Sequence, residues 1–442
     1  MWYEILYRIL SIINYAVLIV VAIPLLLVIF EIILSLILRK KKYPKSDKKA
    51  KIAYLIPAYN EADVIYDTVK DALENQDYPK ELFDVFVIAN NCTDNTAELA
   101  RKAGAKVLIL DDPDPTHHKA LYPIKYGIDY ILNNLPDVEM IIHLDADNHM
   151  NKEFSSLMND AYQSGVDFAR PYEGAINAPQ NFYTKACAIF YAIDSRFLAR
   201  ARERMHLAAH INGSGAMMSR RLLLETGGYD CVSISDDTEF CFNRILEGKK
   251  GHFVEDAVVF EDLPSTRRDT VNRNKRIMEG NKGLLKHKLT RMVPRFFKTG
   301  DFSYIETILT YIWLFISTIV FTWLPLYYIY FFIFGGFAKE GMIELSMFSQ
   351  EYFNTMFWVS IWGYACLFVI AILLFGVVTS LVISLQDYKK YGAKKKSELI
   401  DLCFLFIFYF ILYSFTIAFS GSSKKNKTWE KVKRNTGNNN GK

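Results

Sequence analysis

Residues 141–148 read Ile-Ile-His-Leu-Asp-Ala-Asp-Asn, a run of apolar or half-buried positions that ends in two carboxylates one residue apart, Asp145 and Asp147, followed by Asn148. At the end of a β-strand, where side chains alternate with period two, Asp145 and Asp147 point the same way. Hard carboxylate oxygens held close together at a strand end suit Mg²⁺ or Mn²⁺ shared with phosphate oxygens. The same residues also make an ordinary polar turn, because Asp and Asn are turn formers, so the surroundings must decide between the two. Two further sets carry charge in a pattern. Arg273 and Arg276 are three apart and share one helix face. Asp236 and Asp237 are adjacent carboxylates at the head of a helical stretch through Thr238-Glu239-Phe240, where capping is the plain alternative to chemistry.

The chain that must position these residues has 442 residues, 51% hydrophobic and 15% aromatic, which is material for about two or three domains. Its apolar residues are concentrated: 11–30, 307–338, 352–386 and 402–423 carry no charge. Each is long enough for a bilayer core, which takes about 20 residues. An integral, multi-pass cell-membrane protein with one large soluble insert is expected. The expected divisions are a membrane anchor and basic juxtamembrane segment at 1–49, the insert at 50–283, and an interfacial amphipathic segment at 284–303. A transmembrane region at 304–423 and a basic, partly disordered tail at 424–442 complete the chain. The first apolar segment is too long for a secretory signal and lacks a small-residue cleavage site, so it reads as a retained anchor.

Arg39-Lys40-Lys41-Lys42, with Lys45, Lys48, Lys49 and Lys51, marks the cytoplasmic side of the membrane and makes the insert cytosolic. Three single crossings after the insert would leave the tail outside, yet Lys424 to Arg434 is strongly basic and belongs inside. A second crossing or a re-entrant break at Pro325 or Gly335-Gly336 would resolve that conflict. After Gly280, lysines and arginines interleave with Leu284, Leu285, Leu289, Met292, Val293, Phe296 and Phe297, the composition of a helix lying on a leaflet of membrane lipids. The six cysteines contain no CxxC pair and suit a reducing compartment. A net charge of +4 leaves no nucleic-acid footprint once the juxtamembrane lysines are set aside.

Within the insert, Ile52 to Ile56 is a continuous apolar run stopped by Pro57, the pattern of a buried parallel strand. Helical spacing follows over 61–74, then a strand at 83–89, a helix at 95–102, a strand at 106–110, a helix at about 120–132, and the strand leading to Asp145. This alternation predicts a doubly wound α/β sheet, whose ligands sit beyond the carboxyl ends of the strands. Polar clusters fall at those ends: Pro57-Ala58-Tyr59-Asn60-Glu61, Asn90 to Asp94, and Asp145 to Asn148.

Those three clusters, in that order and on those elements, resemble the GT-A nucleotide-sugar domain of family 2 glycosyltransferases. Asn212-Gly213-Ser214-Gly215-Ala216 resembles the family's acceptor-side loop, and Gly227-Gly228-Tyr229 with Ser235-Asp236-Asp237-Thr238-Glu239 resembles its "GGF…ED" segment. Val258 to Pro264 and Arg273 to Gly280 continue the match. The resemblance implies a Rossmann-like α/β GT-A domain, cytosolic and inserted between transmembrane α-helices. It implies a UDP-sugar donor and a divalent cation, Mg²⁺ or Mn²⁺, with Asp147 as metal ligand and Asp145 against the donor's ribose or sugar. Tyr59, Glu61 and Asn90 are then nucleoside-pocket residues, Lys119 and the arginines Arg273 and Arg276 diphosphate contacts, and Asp237 the base. Gly213, Ser214, Gly215, Asp236 and Ile277 lie on the acceptor side.

Three positions depart from the family's pattern. Asn90 stands where relatives carry Asp, and its amide offers a donor as well as an acceptor. His118 replaces a glycine before Lys119. Ile277 stands where polysaccharide synthases place a Trp against the acceptor sugar, and Ile packs without stacking on a sugar face. The expected activity is inverting glycosyl transfer to a glycan or lipid-linked hydroxyl. The C-terminal spans and the Arg-x-x-Arg segment favour processive synthesis and extrusion of a β-linked polysaccharide; Ile277 favours the alternative, a single transfer to a membrane lipid. A non-catalytic transferase-like scaffold is disfavoured by the retention of Asp145, Asp147, Asp237 and Arg276. The sequence leaves the sugar, the linkage and the oligomeric state open.

Overall fold

The computed structural model describes residues 2–114, 117, 119–211, 213–339 and 372–404, with scattered helical positions between 351 and 370. The expected basic tail, most of the span at 402–423, part of that at 352–386, His118 and Asn212 lie outside the described residues.

Eight strands form one sheet: β1 Ile52–Ala58, β2 Phe83–Asn90, β3 Lys106–Leu110, β4 Met140–His143, β5 His149–Met150, β6 Phe168–Ala175, β7 Met217–Ser219 and β8 His252–Glu261. Their order is β3-β2-β1-β4-β7-β6-β8-β5. The first four pair in parallel, as the apolar runs predict. Every residue of β1 is buried because both faces are covered. Ala53 and Leu55 pack with Leu121, Ile124 and Ile128 of the helix Leu121–Asn134. Tyr54 and Ile56 pack on the opposite face with Ile65, Val69 and Ala100 of the helices Ile65–Glu74 and Thr96–Ala103. Each such Leu, Ile or Val contributes about 1.5–3 kcal/mol. β1 runs through Pro57 to Ala58; its ladder with β4 has ended at Leu55, so the missing Pro57 N–H costs no pairing there.

The remaining half of the sheet is mixed. β7 runs antiparallel to β4 and to β6, β8 parallel to β6, and β5 antiparallel to β8. The carboxyl ends of β1, β2, β4, β6 and β8 and the amino end of β7 therefore share one edge.

The two carboxylates lie beyond the strand and not on it as expected. β4 stops at His143, and Asp145 to Asn148 form a turn into β5, closed by the Asp145 N–H donating to Asn148 Oδ1 at 2.8 Å. Strand alternation does not aim these side chains: Asp145 is exposed and Asp147 half-buried.

Among the described residues one stretch, Arg8–Ile37 of the helix Trp2–Ile37, meets the length and apolarity needed to cross a membrane. It packs along the helix Ser303–Lys339, with Ser11 Oγ 3.4 Å from the Tyr327 hydroxyl. The helix Arg267–Thr299 carries both arginines and passes the expected boundary at 283/284 without a break. Much of its apolar stripe serves the domain core: Leu284, Leu285 and Met292 are buried in the cluster that includes Phe240 and Ile245. Val293 and Phe297 stay exposed, as does Phe302 beyond the helix, which narrows any leaflet contact to these positions.

Candidate active site

The loops after β1 and β2 lock onto each other. Asn60 and Asn91 take left-handed backbone, with φ of 56° and 48°, which Asn tolerates better than other side chains. Asn60 Oδ1 accepts the Thr93 backbone N–H at 2.8 Å and the Thr93 hydroxyl at 3.3 Å. The Glu61 N–H donates to Thr96 Oγ1 at 2.8 Å, and the Glu61 side chain is buried. Asn90 is buried at the tip of β2, where its Oδ1 accepts from Asn91 Nδ2 at 2.9 Å. One lone pair of that oxygen remains, together with its own amide N–H groups. Tyr59, half-buried, borders the same loops, and Lys119 lies at the entrance to the helix Leu121–Asn134.

The turn after β4 is joined to the loop before β7. The Asp145 N–H approaches Ser214 Oγ at 3.3 Å, and the Gly215 N–H donates to the His143 carbonyl at 2.7 Å. Gly215 has φ +74°, and a Cβ there would sit 2.5 Å from Pro171 Cγ, so only glycine fits. His143 is buried beneath the turn, its Nε2 3.8 Å from Asp145 Oδ1 and without a hydrogen-bond partner among the described residues. His149 is held by Asp71 at 3.1 Å, the main cause of its raised pKa, which burial opposes and Asp147 reinforces.

β8 ends in Glu261, which lies in the matched segment Val258 to Pro264 without a role assigned from sequence. Burial, then Glu173, Asp145 and Asp147, push its carboxyl well above the usual range, which puts it within electrostatic reach of both carboxylates of the turn. Tyr191 donates to Glu261 Oε2 at 2.6 Å, and Arg273 Nη2 lies 3.8 Å from the same oxygen. Arg273 also stacks on the Tyr191 ring at 5.0 Å. Glu173 is buried in β6 and pushed up to about 8 by burial, against the pull of Arg170 at 3.1 Å. In sequence Glu261 closes the apolar run Ala257 to Phe260 and His143 sits inside the run that leads to Asp145, whereas Glu173, with Arg170 in the same strand, carries no such signal.

Asp236 and Asp237 open the helix Asp236–Leu246. Asp236 is buried, accepts the Tyr229 hydroxyl at 3.0 Å, and is pushed up to about 7 by burial and by Asp237. Asp237 is half-buried; its Oδ1 takes the Thr238 N–H at 2.7 Å, while Oδ2 lies 3.5 Å from the place a Cβ of Gly213 would occupy. Burial also raises the Asp237 pKa, with Asp145 adding to the rise and His143 opposing it. The missing side chain at Gly213 leaves space directly before a carboxylate oxygen.

Arg276 is exposed and charged; partial desolvation and Arg273 lower its pKa, while Asp145, Asp237 and Asp236 raise it. The structure thus gathers Asp145, Asp147, Asp236, Asp237, Glu261, Arg273 and Arg276 at one edge, with Gly213 and Ser214 between the turn and the helix. Ile277, half-buried, follows Arg276 on the same helix. Gly280 passes so close to the helix start that a Cβ would lie 2.0 Å from Ser235 Oγ. Among the described residues no three His, Cys, Asp or Glu side chains form a metal cage. Asp145 and Asp147 are hard oxygen donors suited to a cation whose remaining ligands come from phosphate and water.

A family described as "Glycosyl transferase family group 2" matches residues 140–420. The protein named "Probable glycosyltransferase YdaM" of Bacillus subtilis (strain 168) is 24% identical over 257 residues, covering 56% of this chain and 58% of that one. A "Beta-monoglucosyldiacylglycerol synthase" of Nostoc sp. is 25% identical over 206 residues, covering 44% and 41%. The chain therefore spans less than two thirds of the length of these curated relatives. The solved structure of the mannosyltransferase PcManGT from Pyrobaculum calidifontis, in complex with GDP-Man and Mn²⁺, superposes with a TM-score of 0.51 at 15% identity, covering 90% of this chain and 99% of that one. That likeness is one of fold.

Proposed function

Because the chain belongs to glycosyl transferase family group 2, we propose that it transfers one sugar from a UDP-sugar, with inversion, to the hydroxyl of a membrane lipid. The observation that carries the transferase reading is the meeting of the Asp145–Asp147 turn, Asp237 and the Arg273/Arg276 pair at one sheet edge. In this reading the acceptor hydroxyl occupies the space before Gly213. Its oxygen attacks the anomeric carbon opposite the diphosphate, the anomeric C–O bond breaks with both electrons going to the diphosphate, and the hydroxyl proton moves to Asp237 Oδ2. Arg273 and Arg276 face the leaving diphosphate, where guanidinium groups offset developing negative charge. Asp147, with Asp145 beside it, would hold Mg²⁺ or Mn²⁺, which neutralises diphosphate charge when bound. Tyr59, Glu61 and Asn90 take the nucleoside, and Lys119 reaches toward the phosphates.

Ile277 and the likeness to a glucosyldiacylglycerol synthase support a lipid acceptor. Processive polysaccharide synthesis is the second reading, favoured by the uncharged stretches 307–338, 352–386 and 402–423. In either case Arg8–Ile37 anchors the protein in the membrane with the catalytic domain cytosolic, beside further spans in the C-terminal region. The test incubates purified protein with radiolabelled UDP-glucose, UDP-galactose, UDP-N-acetylglucosamine and UDP-glucuronate, together with diacylglycerol vesicles and Mg²⁺ or Mn²⁺. One sugar on an organic-extractable lipid, lost on addition of EDTA, is expected. A polymer that resists extraction would select the second reading, and no UDP release from any donor would reject both.

A further inference from the structure

A cleft of about 790 Å³ is lined by Arg39, Lys40, Lys42, Arg196, Arg200 and Lys390, with three carboxylates and Gln386 among them. Glu255 lies in a bulge of β8 opposite the step from Pro171 to Tyr172 of β6, and Glu261 pairs with Ala175, so roughly 10–13 Å of sheet separates the cleft from the carboxylates of the active site. Its walls come from the chain's exits from apolar stretches. Arg39 to Lys42 follow the stretch Arg8–Ile37 after Leu38, Gln386 ends the uncharged run 352–386, and Asp387 to Lys390 directly follow it.

Six cations face three carboxylates, a net formal charge of +3. The carboxylates are already engaged: Asp256 by Lys40, Glu255 by Arg200, and Asp387 by Arg196 at 3.2 Å and by Lys390 at 3.2 Å. Arg39 and Lys42 are exposed and have no ion-pair partner among the described residues. Arg196 is 94% buried and donates from Nη2 to Gln386 Oε1 at 3.1 Å, yet its Nη1 is buried without a hydrogen-bond partner. A buried guanidinium nitrogen left over in a basic cleft is the donor set an oxyanion completes.

We propose that this cleft binds the phosphate of an anionic phospholipid headgroup, at a site separate from that of the sugar donor. The proposal rests on the bilayer anchoring given under the proposed function. The spare charges sit where such a headgroup lies, immediately beyond the apolar core, and basic pockets beside membrane helices on the cytoplasmic side recognise anionic headgroups. Lys390 lies 3.7 Å from the centre of the Tyr172 ring, which fixes one wall of the cleft against β6.

The experiment titrates the full-length protein in neutral detergent with dihexanoyl-phosphatidylglycerol, dihexanoyl-phosphatidylcholine and inorganic phosphate, and reads bound ligand by native mass spectrometry. Phosphatidylglycerol is expected to bind most tightly. Arg39→Ala with Lys42→Ala, both at exposed positions, should weaken it roughly 30-fold, at about fivefold per charge, and leave UDP release unchanged. Equal affinity for the two phospholipids, or an unaltered double variant, overturns the proposal. Inorganic phosphate binding as tightly as phosphatidylglycerol also overturns it, in favour of a soluble phosphate site. Alkaline carbonate extraction of cell membranes separates the two levels of inference. Retention in the pellet without headgroup selectivity removes the cleft alone, whereas release to the supernatant removes the anchoring and the lipid site with it.

Discussion

Asp237 and Asp236 share a helix start but not an environment. Asp237 presents Oδ2 to the space before Gly213, while Asp236 is turned inward to the Tyr229 hydroxyl. Replacing Asp237 with Asn keeps the shape and removes the proton acceptor, so kcat should fall by about 10²–10⁴-fold with little change in donor KM. Steady-state UDP release measures both constants. The pair also sets a pH dependence. Burial and the neighbouring Asp237 push Asp236 up to about 7, so the pair holds its last proton almost to neutrality. A base must be ionised, and burial raises the Asp237 carboxyl as well, so kcat/KM should climb with pH along a limb displaced upward from the ordinary carboxylate range. Stability carries the opposite sign. A carboxyl whose folded pKa is raised favours the folded state at low pH and loses that contribution as pH rises through about 7. Thermal unfolding of the Asp236→Asn variant should therefore vary less between pH 5 and pH 8. Asp145, Asp147 and Asp237 were legible because each lies in a polar cluster at an element's end. His143 and Glu261 stand out in sequence only as polar residues in or at apolar runs, and what they and Glu173 meet depends on strands brought together from distant parts of the chain.

At the scale of elements, the parallel half of the sheet was legible and the mixed half was not. β1 to β4 are apolar runs separated by amphipathic helices, and period and length suffice to find them. β6, Phe-Ala-Arg-Pro-Tyr-Glu-Gly-Ala, is wholly buried yet contains Arg170 and Glu173. It can be so only because Arg170 pairs with Asp194, donates to the His210 carbonyl at 3.1 Å and meets Ser195 Oγ at 3.1 Å. No window of local sequence contains those partners. Asp194 and Ser195 lie in a π-helical stretch, Ile193–Ala199, whose extra residue per turn re-aims the following side chains. The helix Arg267–Thr299 shows what close packing contributes at the site. Gly280 lets it cross Ser235 at the start of the helix that bears Asp237, and a Cβ there would collide with Ser235 Oγ. Gly280→Ala should cost about 1–3 kcal/mol by displacing one helix from the other. It should lower kcat as well, since Arg276 and Asp237 would no longer keep their spacing; a thermal shift and a kcat measured on the same preparation check the two together.

The whole molecule is held by an ionic knot. Arg202, fully buried, lies 2.7 Å from Glu306 Oε1 and donates to Thr310 Oγ1 at 3.1 Å, both on the helix Ser303–Lys339. It also lies 3.7 Å from Asp194 and 3.7 Å from Glu31, the latter on the helix Trp2–Ile37. His210 closes the group at 3.2 Å from Glu306, its pKa lowered by burial and by Arg202. One guanidinium thus ties both long apolar helices to the strand bearing Arg170 and Glu173, and charges this deep hold orientation as much as stability. Arg202→Met leaves Glu306 and Glu31 without their guanidinium, while Asp194 keeps Arg170, and should cost about 3–5 kcal/mol, the range for breaking a buried pair from one side. Adding Glu306→Gln to Arg202→Met removes one of the stranded charges and should recover part of that loss. Thermal unfolding of the three proteins in one detergent gives the comparison, and a double variant no more stable than Arg202→Met would show that Glu306 is not the main partner. Donor-only UDP release, which needs Asp147 and the arginines but no lipid acceptor, should survive in the double variant better than transfer to vesicles does. Loss of both to the same extent would mean that the knot supports the catalytic fold itself rather than its placement on the membrane helices.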